Sequence, residues 1–229
     1  MSGEGTRGAV LFDVDGTLVD TTYLHTVAWW EALRQAGRRV PMSLIHRTIG
    51  MGSDQLLARL LGEDRDPEEA AAASAAHHTL YAAYWSRLAP LEGAADLLRA
   101  CAGRGWTVVL ASSARGDELE AMRRALDADD AVTAATSSDD VAASKPAPDL
   151  VRSALEHAGT TPDRAVFVGD TVWDVAACSR AGVPCLGVLS GGLTRQELLE
   201  AGAVEVYEGP ADLLAHLDDS LLGRLPGGS

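Results

Sequence analysis

From residue 93 onward, short apolar runs alternate with longer stretches of helical composition, and most of the runs stop abruptly at polar residues. The runs lie at 107–111, 131–136, 165–168, 183–188 and 204–207. Continuous apolar runs mark strands buried on both faces, as in parallel sheets, and parallel strands need crossover connections that are usually helical. The pattern therefore restricts the chain to helices wrapped around a parallel sheet. A further run, 8–12, lies far upstream, and between residues 22 and 88 only helical signals occur. The 22–37 stretch closes on Gly37, 43–49 follows Pro41, 53–62 opens at a capping Ser53, and 67–88 is Ala-rich after Pro67. Pro90 and Gly93 end this block. The simplest assembly puts 8–12 in the same sheet, with residues 1–19 and 90–229 as the core and 20–89 as a helical insertion just past the first strand. Hinged near 18–21 and 89–93, that insertion would overhang the strand ends as a lid.

A chain of 229 residues buries a core without needing disulfides or a structural metal. With 19 Lys and Arg against 33 Asp and Glu, its formal charge of −14 repels nucleic acid and anionic lipid, so neither partner is expected. Any phosphate site must supply its own local positive charge. Cys101, Cys178 and Cys185 are odd in number and sit among apolar or small residues, as core thiols of a reducing compartment do. Residues 1–8 lack the apolar core of a signal peptide and no stretch approaches the ~20 apolar residues of a membrane span, which predicts a cytoplasmic protein. The tail 225–229 is expected to be disordered.

The first run ends at Asp13-Val14-Asp15-Gly16-Thr17, two carboxylates one residue apart. Open α/β sheets place their ligands beyond the carboxyl ends of the strands. Asp15-Gly16 on its own is also a turn signal. Two like charges this close raise each other's pKa unless a cation neutralises them, and hard oxygen ligands suit Mg²⁺. At the end of 107–111, Ser112 and Ser113 either cap the following helix or hydrogen-bond a phosphate oxygen near its N-terminus.

Lys145 is the only lysine in the chain, all other basic residues being arginines. A lone lysine suits a site that needs a compact point charge in place of a planar fork, here to offset an Asp cluster and the charge developing on a phosphoryl group. After 165–168, Gly169-Asp170 is followed four residues later by Asp174. On a helix that spacing shares one face, so one carboxylate would complete a Mg²⁺ site and the other would hold Lys145 or a metal-bound water.

In order, Asp13-Val14-Asp15-Gly16-Thr17, Ser112, Lys145-Pro146, and Gly169-Asp170 with Asp174 resemble the four motifs of the haloacid dehalogenase-like hydrolase superfamily, over nearly the whole chain. The helical block is similar to that family's first-class cap, as in phosphoglycolate phosphatases, pseudouridine-5'-phosphatases and β-phosphoglucomutases. The resemblance implies a Rossmann-like α/β core with an inserted α-helical cap, and a Mg²⁺-dependent phosphatase acting on a small phosphorylated metabolite. It makes Asp13 the nucleophile that forms a phosphoaspartyl intermediate and Asp15 the acid and base. Mg²⁺ would be held by Asp13, the Asp15 carbonyl and Asp170, with Asp174 contributing directly or through Lys145 or water. Ser112 would hold a phosphoryl oxygen, with the Gly16 and Ser113 amides as further candidates.

Within the family, the carboxylate at Asp15 favours phosphate esters over halides, and the absence of a lysine elsewhere excludes the Schiff-base phosphonatases. His25, after Asp20, resembles the mutase hinge histidine or is a polar residue of the first cap helix. The mutase alternative calls for a cap lysine and arginine; the cap has no lysine, and Ser53 stands where the arginine is expected. Arg47 is the cap residue expected to touch substrate, with Arg115 a second candidate; either is otherwise a solvated arginine. Trp29, Trp30 and Trp85 fit a cap core better than a stacking platform, and adjacent His77 and His78 point apart on a helix. A non-catalytic sensor of a phosphorylated metabolite is the remaining class of function; loss of Asp13 or Asp15 would favour it, and both are present. Oligomeric state is not readable from these features.

Overall fold

The computed structural model describes residues 7–226 and contains a six-stranded, all-parallel sheet in the order β3-β2-β1-β4-β5-β6. The strands are β1 (Ala9–Phe12), β2 (Thr107–Ala111), β3 (Ala134–Thr136), β4 (Ala165–Gly169), β5 (Cys185–Val188) and β6 (Glu205–Tyr207). The strand expected over 131–136 is shorter because its first residues turn instead, with the Ala131 amide donating to the Ala128 carbonyl.

Alternation along each strand sends neighbouring side chains to opposite faces, and two separate cores result. Val10, Phe12, Val108, Leu110, Val166 and Val168 pack under α5 (Ala94–Gly103), α6 (Gly116–Leu126) and α10 (Pro210–Ala215). Leu11, Val109, Ala111 and Phe167 pack under α7 (Asp149–Ala158), α8 (Val172–Ala181) and α9 (Arg195–Ala201). Each fully buried Val, Leu or Phe contributes roughly 1.5–3 kcal/mol, so the central strands are the rigid platform of the molecule. Cys101, Cys178 and Cys185 are free and buried in these layers. Burial pushes the Cys101 thiol up to about 12, consistent with an inert core thiol.

Between β1 and β2 lie α1 (Thr22–Gln35), α2 (Met42–His46), α3 (Ser53–Leu61) and α4 (Pro67–Ala82), followed by a 3-10 turn at Trp85–Arg87. Asp66 caps α4 by accepting from the Glu68 amide, and Pro67 sits in the first turn, where its missing N–H costs nothing. These helices have their own core, including Trp29, Leu33, Ile45, Leu56 and Leu57. The chain enters and leaves the block side by side: the Asp20 amide donates to the Ala89 carbonyl at 3.0 Å and the Leu91 amide to Leu18 at 2.9 Å. The block is anchored to the core by His46 on the Gly191 carbonyl at 2.9 Å, Ser144 on Asp54 at 2.6 Å, and the Arg47–Glu197 ion pair.

No helix among the described residues is long and apolar enough to cross a membrane. Residues 1–6 of the polar N-terminal segment, and 227–229 of the tail expected to be disordered, lie outside the described residues. Within that tail Leu225 packs against the core and the Pro226 carbonyl accepts from the Gly8 amide at 3.1 Å, so its first two residues are placed.

Candidate active site

The sheet order reverses between β1 and β4, the switch point at which open α/β sheets bind ligands. The two strands run in register, Phe12 beside Val168; Asp13 follows Phe12 directly and Asp170 follows Val168 after Gly169, so both acids stand at the same sheet end. Asp13 and Asp170 are each 1% exposed. Lys145, in the loop between β3 and α7, reaches them from beyond β2 and is fully buried. Its Nζ lies 2.7 Å from Asp13 Oδ1 and 2.7 Å from Asp174 Oδ1.

Asp170 and Asp174 do not converge by sharing a helix face. Asp170 precedes α8, whose N-cap is Thr171, and Asp174 is the third helical residue, closing a capping box with Thr171. Asp174 thus spends one oxygen on the helix end and the other on Lys145. Gly16 has φ +72°, a conformation glycine adopts freely, and a Cβ there would lie 2.5 Å from Asp170 Oδ2. Its amide donates to the Val19 carbonyl at 2.9 Å, so the expected phosphate contact of the Gly16 N–H is already taken by the turn.

The cluster fits a divalent cation. Carboxylate oxygens of Asp13, Asp170 and Asp174 lie within 4.8 Å of one another, and Asp13 Oδ2 and Asp170 Oδ2 are buried without a hydrogen-bond partner. Three carboxylates against one ammonium leave two excess negative charges, in a place where unpaired charge is costly. Burial, with the neighbouring acids, pushes Asp13 up to about 7 despite Lys145. Asp170 is raised well above the usual carboxylate range by burial and then by Asp13 and Asp174. Burial works to lower Lys145, but Asp13 and Asp174 outweigh it and hold the ammonium charged. Hard oxygen donors without sulfur or imidazole match Mg²⁺.

Asp15 points away from this cluster, and its Oδ1 accepts from Thr21 Oγ1 at 2.7 Å and from His25 Nε2 at 3.0 Å. Burial pushes Asp15 upward, but His25 and Thr21 prevail and hold it below the usual range. Ser112 is fully buried; its Oγ accepts from the Ala114 amide at 3.0 Å and stands 3.4 Å from Asp15 Oδ2, so the capping reading and a place beside the acids both describe it. Ser113 and Arg115 line the adjoining cavity, which has a volume of about 240 Å³. Arg47 does not line it, because its guanidinium turns to Glu197 on α9.

Sequence reasoning missed the place of two wall residues, Glu118 altogether and His77 as a partner of His25. Glu118 on α6 is 5% exposed and lies 3.4 Å from His25, and burial pushes it up to about 7. His77 on α4 touches His25, while His78 turns to Asp117. A Glu in the first turn of a helix reads as a capping residue, and nothing local announced that Glu118 would face a histidine of the insertion.

Residues 8–182 match the family described as haloacid dehalogenase-like hydrolase. Phosphoglycolate phosphatase of Rhodospirillum rubrum is 31% identical over 232 residues, covering 96% of this chain and 93% of that protein. The crystal structure of a hydrolase from Pseudomonas syringae superposes with a TM-score of 0.89 at 36% identity, covering 93% of this chain and 99% of that one. A CbbY variant from Rhodobacter sphaeroides in complex with xylulose-(1,5)bisphosphate superposes with a TM-score of 0.75 at 28% identity, covering 90% and 96%. The likenesses run nearly the full length of the chain, and it belongs to the haloacid dehalogenase-like hydrolases, among the phosphatases of that family.

Proposed function

We propose that the protein is a Mg²⁺-dependent phosphomonoesterase that releases phosphate from a small phosphorylated metabolite through an aspartyl-phosphate at Asp13. The observation that carries this reading is the buried Lys145, ion-paired to Asp13 and Asp174 beside two unpartnered oxygens of Asp13 and Asp170. When bound, Mg²⁺ supplies a Lewis acid that polarises the phosphoryl oxygens. Asp13 and Asp170, with the Asp15 carbonyl, would hold it, and Asp174 acts through Lys145.

Asp13 attacks phosphorus in line, forming its O–P bond as the ester P–O bond breaks, and Lys145 offsets the charge on the transferring group. Asp15, which His25 and Thr21 hold ionised in this structure, first takes up a proton from solvent as the phosphoryl dianion enters the site, gives it to the departing alkoxide, and then takes one from the water that opens the aspartyl-phosphate. His25 and Thr21 occupy Asp15 Oδ1, and Oδ2, which has only the long 3.4 Å contact from the Ser112 hydroxyl, is the oxygen for these transfers. Ser112 and Ser113 orient phosphoryl oxygens, and the helical insertion closes over the site and limits water.

A cavity of about 240 Å³ suits a compact alcohol, and the relatives named for phosphoglycolate or solved with xylulose-(1,5)bisphosphate support small phosphorylated metabolites as the class. Arg115 and histidines are the only basic residues among the described lining, with no lysine on the insertion, so a second phosphate finds little to hold it and hydrolysis is favoured over a mutase reaction. A panel of phosphorylated metabolites assayed for phosphate release, with Mg²⁺ and with chelator, tests the reading. Turnover should require Mg²⁺, and Asp13→Asn should abolish it with an unchanged circular-dichroism spectrum. Undiminished activity in chelator, or near parental activity in Asp13→Asn, would overturn it.

A further inference from the structure

Behind Asp15 lies a chain of buried polar contacts that crosses from the core into the helical insertion. His25 Nε2 faces two carboxylates, Asp15 Oδ1 at 3.0 Å and Glu118 Oε1 at 3.4 Å, and so carries the hydrogen it shares with them. On the other side of the same ring, Nδ1 is 3.1 Å from Nε2 of His77, which belongs to α4 while His25 belongs to α1. Both rings are clamped: His77 stacks on Trp29 with centroids 4.1 Å apart, and His25 stacks on Tyr81 at 3.8 Å. Stacking fixes the plane of an imidazole but not which way round it lies, since the ring can flip within its slot. The His77 contact selects the orientation in which Nε2 meets Asp15.

We propose that His77 is a positioning residue for Asp15, acting through His25: it locks the imidazole so that Asp15 Oδ1 is held and Oδ2 is presented to the leaving group. The inference rests on Asp15 being the acid that protonates that group. Either tautomer of the His25–His77 contact serves, so the device needs a polar atom at the Nε2 position and not a particular protonation state. Glu118 completes the cradle from the core side.

Leaving-group dependence separates this role from simple core filling. A p-nitrophenolate departs without a proton whereas an alkoxide needs one, and kcat/KM reports steps only through that departure. In the full-length protein with Mg²⁺, His77→Phe should lower kcat/KM about tenfold or more for the best alkyl phosphate of the panel. Activity on p-nitrophenyl phosphate should stay close to the parent. His77→Gln, whose amide reaches the same point, should restore most of the alkyl activity. Equal losses on both substrates, or no difference between Phe and Gln, would refute the proposal. If His77→Phe does not fold, His77→Met takes its place; failure of both to fold assigns His77 to structure alone and also refutes it. Asp15→Asn is the control: a loss selective for the alkyl phosphate there but not in His77→Phe defeats this inference only. Equal losses in Asp15→Asn would instead defeat the acid role of Asp15, and this proposal with it.

Discussion

Replacing Lys145 with Met tests whether the buried ammonium is the countercharge on which the acidic cluster depends. The side chain is fully buried and 2.7 Å from each of two carboxylates that are at most 2% exposed, so solvent screening gives no relief. Removing one partner of such a set leaves uncompensated buried charge and costs about 3–5 kcal/mol. For a domain of this size, ~1 kcal/mol moves the melting temperature by ~2–4 °C, so Lys145→Met should melt about 6–20 °C below the parent in chelator at pH 7.5. Mg²⁺ binds the folded state and at 100 times its dissociation constant adds about 2.7 kcal/mol. The variant has the larger charge excess to neutralise and should gain more, so the gap should narrow in Mg²⁺ although turnover stays lost. Adding Asp174→Asn should recover part of the stability by removing one of the stranded charges. Melting followed by circular dichroism decides the matter. A single variant within about 2 °C of the parent in chelator would mean that the cluster does not depend on Lys145.

The metal-free protein should lose stability as pH rises, because burial pushes Asp13 and Glu118 each up to about 7 in the folded state, above their ordinary values of 3.8 and 4.5. The folded state then binds more protons than the unfolded one, so their contribution is complete below about pH 4 and is lost as pH climbs through 7. Melting temperatures in chelator should fall between pH 5 and pH 8, and Mg²⁺ should flatten the Asp13 part; a flat or rising profile in chelator would contradict the placement of these acids. Gly191→Ala would put a Cβ 1.7 Å from Asp170 Oδ2 and must displace that carboxylate. The Mg²⁺ concentration for half-maximal activity should rise about 10–100-fold, and an unchanged Mg²⁺ titration would exclude Asp170 as a ligand.

Much of the site was legible because its residues stand where local signals end. The run at 107–111 is β2, and the single lysine among arginines is the residue at the centre of the acids. Other expectations failed for reasons of docking. Arg47 lies on the insertion near the cavity, but α9 offers it Glu197, and the ion pair turns the guanidinium away from where substrate would sit. The i, i+4 spacing of Asp170 and Asp174 suggested a shared helix face, yet Thr171 starts the helix between them, and the two acids meet through a turn and a cap. Glu118 and His77 carried no local mark, since their partner His25 comes from a third helix.

By itself the sequence determined the alternation of buried strands and helices, the helical nature of residues 22–88, and the chemical types present at each strand end. Those properties follow from periodicity, turn residues and side-chain chemistry, which act over a few neighbouring positions. Tertiary structure alone decided the order of the strands, which carboxylate faces Lys145 and which keeps a free oxygen, and the passage from Asp15 through His25 to His77. Such contacts join residues as far apart as the 132 positions between Asp13 and Lys145. They depend on how helices settle on the two faces of the sheet, a result of packing that no local pattern encodes.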